Sequence, residues 1–155
     1  MFSPVSGFPN YIINNDGIIY SQNGEIKHFI TNKGYKQIVL TNGKRKLFRV
    51  HRLVYQHFGK DWNPELTVDH IDGDINNNHI SNLRMANMQQ QSFNIKVHKT
   101  NKLGVKGISK IGDKYRAVIC INDKRIHLGM FETKEEAGLA YQTKAKELHG
   151  EFYRG

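Results

Sequence analysis

The sequence predicts an α+β protein: a small β-rich N-terminal module, a central strand–loop–strand–helix segment, and a C-terminal three-stranded antiparallel sheet packed on one helix. Three observations predict it. Short apolar runs are punctuated by Asn15-Asp16-Gly17, Asn23-Gly24, Asn42-Gly43 and Asn122-Asp123, the residues that tight hairpin turns demand. A capping box, Thr133 to Glu136, opens a stretch with a 3.6-residue apolar period near the C-terminus. Between these patterns lies an acidic, Asn-rich centre.

At 155 residues the chain has room for one ordinary domain or a few very small ones. Hydrophobic residues make up 38%, too few for a large single core, yet Ile, Val, Phe and Tyr are too frequent for a disordered chain. The breaks give residues 1–48 as the β-rich module, 49–95 as the central segment, 96–103 as a basic linker and 104–155 as the C-terminal module. In the first, Tyr11 to Ile13, Ile18 to Tyr20, Tyr35 to Leu40 and Leu47 to Val50 read as strands. His51 to Phe58 reads as a short helix with Leu53, Val54, Tyr55 and Phe58 on its apolar face. The centre runs from an apolar stretch ending at His70, through a polar loop, to a strand over Leu83 to Ala86 and a helix from Met88.

In the last module, Lys106 to Ile111, Tyr115 to Ile121 and Lys124 to Phe131 read as three strands. The helix behind them buries Ala137, Ala140, Tyr141, Ala145 and Leu148. The other face of the sheet is left open and carries Lys110, Arg116, Arg125 and His127.

The charge is +9 overall and unevenly placed. Residues 27–60 hold nine Lys/Arg and no acid, residues 61–95 carry −4, and residues 96–125 carry +7. Two basic stripes suit a polyanion. An acidic segment enclosed by them is costly beside phosphate unless a cation sits there too. The single cysteine, Cys120, excludes a disulfide framework and any zinc site built on cysteine pairs. With no run of about 20 apolar residues and no signal-peptide pattern, the expected setting is cytoplasmic, with no membrane partner.

The chemistry concentrates in Val68-Asp69-His70-Ile71-Asp72-Gly73-Asp74, Asn76-Asn77-Asn78-His79 and Ser81-Asn82-Leu83-Arg84. Asp69 and His70 end an apolar stretch, and neighbouring strand residues point to opposite faces. A carboxylate suits a hard cation on a phosphodiester, and an imidazole suits the base that activates water. A calcium loop fails on spacing, because Asn77 and Leu83 stand where Gly and Glu are required. An Asx-rich turn with a structural histidine remains the other reading of the same residues. His79, His98 and His149 are expected at the surface, and His51 and His57 are too far apart on a helix to share a metal.

That pattern resembles the HNH nuclease motif of phage and intron homing endonucleases, and Val50 to Phe58 is similar to the helix that leads into it. The resemblance implies a ββα-metal core, duplex DNA as partner, and one divalent ion, Mg²⁺ or Mn²⁺. Asp69 becomes a metal ligand, His70 the general base, and Asn82 the residue that holds the loop or the scissile phosphate. The family's last ligand falls at Gln91, where Asn or His is usual; Asn94 is the alternative. A phage-encoded chain would work in the host cytoplasm, as a monomer or as two copies meeting on DNA.

Gly104 to Ile108, Tyr115-Arg116-Ala117, Lys124 to Phe131 and Thr133 to Tyr141 resemble the plant Apetala/ethylene-response-factor DNA-binding domain. This implies a sheet lying in the major groove, with Arg116 and Arg125 reading guanine edges. Lys106, Lys110, Lys114 and Lys124 would hold phosphates, beside His127. The linker adds Lys99 and Lys102, and the first stripe adds Lys44, Arg45, Lys46, Arg49 and Arg52. The function expected is a site-specific homing-type endonuclease. A regulator that binds DNA without cutting is the alternative, and an RNA-binding protein fits the charge but leaves Asp69-His70 unexplained.

Overall fold

The structure is a computed structural model that describes residues 1–94, 97, 100–122 and 124–154. Two compact units divide the chain, Met1–Asn87 and Met88–Gly155. No helix among the described residues is long and apolar enough to cross a membrane.

The first unit opens with four antiparallel strands in chain order, β1 (Phe2–Val5), β2 (Phe8–Asn14), β3 (Ile19–Ser21) and β4 (Gly24–Glu25). β1 goes unread in the sequence because Pro4 interrupts its short apolar run. It survives at the sheet edge, where a missing N–H costs little. A second sheet follows: β5 (Phe29–Ile30), β6 (Lys36–Asn42) and β7 (Lys44–Arg49). Asn42-Gly43 makes the β6–β7 turn as expected, with Gly43 at φ 70°.

Helix α1 (Val50–Phe58) leaves β7 without a loop, and no side chain caps its start. Its stability therefore comes from burying one face. Val50, Leu53, Val54 and Tyr55 join Val5, Phe8, Ile13, Ile19, Ile38 and Leu40 in one core. That core also takes Val68 from β8 (Thr67–His70) and Leu83 and Met85 from β9 (Leu83–Ala86). The residues expected as the β-rich module and the start of the next thus share one interior.

The second unit begins with α2 (Met88–Phe93), continues through β10 (Ile108–Ile111), β11 (Lys114–Ile121) and β12 (Lys124–Phe131), and ends with α3 (Lys134–His149). The three strands pair antiparallel in chain order, as the sequence predicts. The Thr133/Glu136 capping box is present with both its bonds. Ile108 and Ala117 pack with Ala137, flanked by Tyr115, Leu128, Phe131 and Tyr141. His149, expected at the surface, is buried and stacks on Phe93 with ring centroids 3.5 Å apart.

Candidate functional site

β8 and β9 form a two-stranded ribbon in which Asp69 lies opposite Arg84 and His70 opposite Leu83. The alternation expected of strand neighbours separates the two side chains. The Asp69 carboxylate goes to Arg84, whose Nε and Nη2 both donate to Oδ2 at 3.1 and 3.0 Å. His70 goes instead to Asn78: Nε2 lies 3.0 Å from Asn78 Oδ1. Asn78 Nδ2 donates to the Asn76 carbonyl at 3.3 Å, which fixes the amide and leaves Oδ1 toward the ring. A carbonyl oxygen only accepts, so Nε2 carries the proton, and Nδ1 holds the lone pair in the neutral ring. Asp69 is 6% exposed and His70 4%, so both are held by packing as well as by bonds.

The loop from Ile71 to His79 is built from successive Asx turns. Asp72 Oδ1 accepts from the Asp74 N–H at 2.7 Å, and Asp74 Oδ1 accepts from the Asn76 N–H at 2.9 Å. Asn82 closes it. Its Oδ1 accepts from the Asp72 N–H at 3.0 Å, and its Nδ2 donates to Asp72 Oδ1 and the Asn77 carbonyl at 2.9 and 2.8 Å. These three bonds tie Asn82 to Asp72 and Asn77 of the loop. Partial desolvation pushes the Asp72 carboxyl up, but the N–H of Asp74 and the amides of Asn77 and Asn82 outweigh it and hold it below its usual value.

The N-terminal strands grip this loop from outside. The Asn15 carbonyl accepts from the Ile80 N–H at 2.9 Å, while the Asn15 and His79 side chains bond at 2.8 Å. Lys36 Nζ donates to the Asn76 carbonyl at 3.2 Å. Gly17 sits at φ 83°, and a Cβ there would come within 2.5 Å of Val50 and 3.6 Å of Asn78. Only glycine fits this approach.

Sequence reasoning missed Asn78, Arg84 and His51. Asn78 is one of three consecutive asparagines, and nothing local marks the one that turns inward. Arg84 was visible only as part of the motif; its pairing follows from ribbon register. His51 is buried in α1 with its ring centroid 5.1 Å from that of His70. Its imidazole is pushed from 6.5 down to about 3, chiefly by burial and then by His70, Arg49 and Arg52. The native ring is therefore neutral, while the unfolded chain takes a proton near its ordinary value. Between about pH 6.5 and 3 the unfolded state binds more protons, so this group removes about 1.4 kcal/mol of stability per unit as pH falls. Urea midpoints measured across that window should fall less steeply in His51→Gln than in the parent. Parallel slopes would contradict the assignment.

Gln91 and Asn94 belong to the second unit; Gln91 is half-buried on α2, and Asn94 is buried just beyond it. No group of three or more His, Cys, Asp or Glu among the described residues is placed to hold an ion.

Of the candidate DNA contacts, Lys44, Arg45, Lys46 and Arg49 are exposed on β7. Arg52 is half-buried, lies 5.0 Å over the Trp62 ring and donates to the Leu66 and Pro64 carbonyls. Lys102 is exposed, and Lys99 lies outside the described residues.

On the C-terminal sheet, a hollow of about 530 Å³ is lined by Arg116, Arg125 and His127 with Ser109, Val118 and Cys120, so these three side chains share the open face. Lys114 has the strand parity of Arg116 and pairs with Glu132 at 2.7 Å. Lys110 does not share that face. It lies opposite Tyr115, with Nζ 5.9 Å from the ring, and paired residues point to the same side, here toward α3. Lys124 pairs with Ile121 on that same helix side. Lys106 Nζ donates to the Phe93 and Arg154 carbonyls at 3.2 and 2.8 Å, which occupies it internally.

Residues 48–93 match the model of the HNH endonuclease family. An uncharacterized HNH endonuclease of Acanthamoeba polyphaga mimivirus is 37% identical over 127 residues, 81% of this chain and 64% of that protein. The DNA endonuclease I-HmuI of Bacillus phage SP01 is 45% identical over 78 residues, 48% of this chain and 45% of its own length. A solved structure described as DNA binding and cleavage by the HNH homing endonuclease I-HmuI matches with TM-score 0.56 and 28% identity, covering 97% of this chain and 91% of that one. Protein 3.8 of Escherichia phage T7 is 35% identical over 89 residues, 56% of this chain and 73% of that protein. The chain thus spans less than two thirds of the first two relatives' sequences. With the ribbon, the Asn82-fixed loop and the Asp69-His70 pair in the matched segment, the chain belongs to the HNH endonuclease family.

Proposed function

We propose that the protein is a homing-type DNA endonuclease that hydrolyses phosphodiester bonds in duplex DNA, with His70 as general base and Asp69 as ligand of one divalent cation. The observation that carries this reading is the His70–Asn78 bond: it aims the imidazole and sets Nδ1 as its basic nitrogen. Nδ1 takes a proton from water as the water oxygen attacks phosphorus. A phosphorus–oxygen bond breaks, and the departing oxygen is protonated from solvent. Asn82 keeps the loop in register beneath these events.

The donor set of a carboxylate with amide oxygens, and no thiolate, suits a hard ion such as Mg²⁺ or Mn²⁺ that takes its other ligands from phosphate and water. Asp69 would hold it. When bound, such an ion stabilises the charge that builds on the phosphate and leaving oxygen.

Recognition divides between two basic surfaces. The exposed Lys44, Arg45, Lys46 and Arg49 track phosphates. The open face bearing Arg116, Arg125 and His127 reads the duplex in the manner the Apetala/ethylene-response-factor resemblance implies. Two linked weak contacts raise affinity through effective concentration. With one Asp69-His70 pair per chain, a monomer nicks one strand and two copies on DNA cut both.

Two observations favour a second reading. Arg84 already occupies Asp69, and Gln91 stands at the expected ligand position, as suits a regulator that binds its site and leaves it whole. Supercoiled plasmid incubated with the protein and Mg²⁺ or Mn²⁺ separates the two. The endonuclease gives open-circular or linear product that EDTA abolishes; the regulator retards the plasmid and leaves it supercoiled.

A further inference from the structure

The bond from Asn78 fixes one edge of the His70 ring. Two further rings stand against it, one from the segment just before β6 and one from the first turn of α1. The His51 ring meets His70 edge-on, with centroids 5.1 Å apart and planes at 65°. Tyr35 stands against both, 5.3 Å from His51 and 6.4 Å from His70. Each of the three rings therefore touches the other two.

Tyr35 is itself tightly placed. Its N–H donates to Thr31 Oγ1 at 3.0 Å, and its carbonyl accepts from the Thr31 N–H at 2.9 Å. Gly34 before it, at φ 86°, allows Ile75 of the polar loop to approach within 2.7 Å of where a Cβ would stand. The Arg49 guanidinium covers the outer face of Tyr35 at 5.2 Å. An aromatic wall so anchored is rigid, and edge-on or tilted rings are the arrangement aromatic groups prefer.

We propose that Tyr35 and His51 are positioning residues for His70: two rings from outside the HNH ribbon that set the plane of the imidazole, so that Nδ1 points where water is activated. The inference rests on the reading of His70 as the base.

The test compares Tyr35→Leu, Tyr35→Phe and His51→Leu in the full chain, by steady-state cleavage and by ¹⁵N-edited NMR of the His70 ring. Tyr35→Leu is expected to lower kcat by about 10- to 100-fold with KM little changed, the size typical of a misaimed catalytic group. Tyr35→Phe, which keeps the ring and loses only the hydroxyl, should restore kcat. His70 should give one sharp Nε2–H tautomer in the parent and an averaged or broadened signal in Tyr35→Leu and, where it folds, His51→Leu.

A folded Tyr35→Leu with parental kcat and an unchanged His70 spectrum overturns the proposal and leaves the base reading standing. So does a loss confined to KM, or an equal loss in Tyr35→Phe. If His70→Ala cleaves like the parent, the base reading fails and takes this proposal with it.

Discussion

Replacing His70 with alanine is expected to slow duplex cleavage by about 10²- to 10⁴-fold, the usual worth of a positioned general base. Affinity for the same duplex should barely change, because His70 is buried and the proposed phosphate contacts lie on β7 and on the C-terminal sheet. Electrophoretic retardation measured beside single-turnover cleavage checks both halves. Asn78→Ala should fall between the parent and His70→Ala: the base remains, but its tautomer and aim are no longer imposed, which typically costs about 10- to 100-fold. If Asn78→Ala lost as much as His70→Ala while still folded, Asn78 would have to act on the substrate directly.

The second large effect concerns stability. Arg84→Ala leaves the Asp69 carboxylate, with a side chain only 8% exposed, without its guanidinium. Breaking a buried pair from one side costs about 3–5 kcal/mol, because the remaining charge stays desolvated. The urea transition of the unit carrying the ribbon should move down accordingly. Adding Asp69→Asn should recover most of the loss, since a neutral amide tolerates the same burial far better. A double variant no more stable than Arg84→Ala alone would show that Arg84 stabilises through packing rather than through charge.

Much of this was legible because local chemistry determined it. The capping box at Thr133 and the turn at Asn42-Gly43 are short-range signals, and both are present. The β10–β12 sheet with α3 behind it follows from alternation and period alone. Asp69 and His70 stood out because a carboxylate and an imidazole end an apolar run.

What was not legible depends on distance and register. Lys110 was expected beside Arg116, but the pairing of Lys110 with Tyr115 turns it to the helix side, and a one-residue difference in register is invisible in sequence. His149 reads as a polar helix end, yet the Phe93 ring, far away in sequence, covers it. Most consequential is the support around His70. Asn78 lies eight residues on, His51 nineteen residues back and Tyr35 earlier still, and only the shared core of the first unit brings them together. The chemistry-bearing residues announce themselves by type; the groups that aim them do so only once folded.

A crystal structure of the chain with a duplex and Mn²⁺ puts these claims to the most direct trial. Anomalous scattering should locate one ion against an Asp69 carboxylate oxygen and a phosphate oxygen, with a water in reach of His70 Nδ1 and Asn78 still on Nε2. An ion bound elsewhere, with Asp69 still held by Arg84 and the His70 ring turned from the phosphate, would contradict the account.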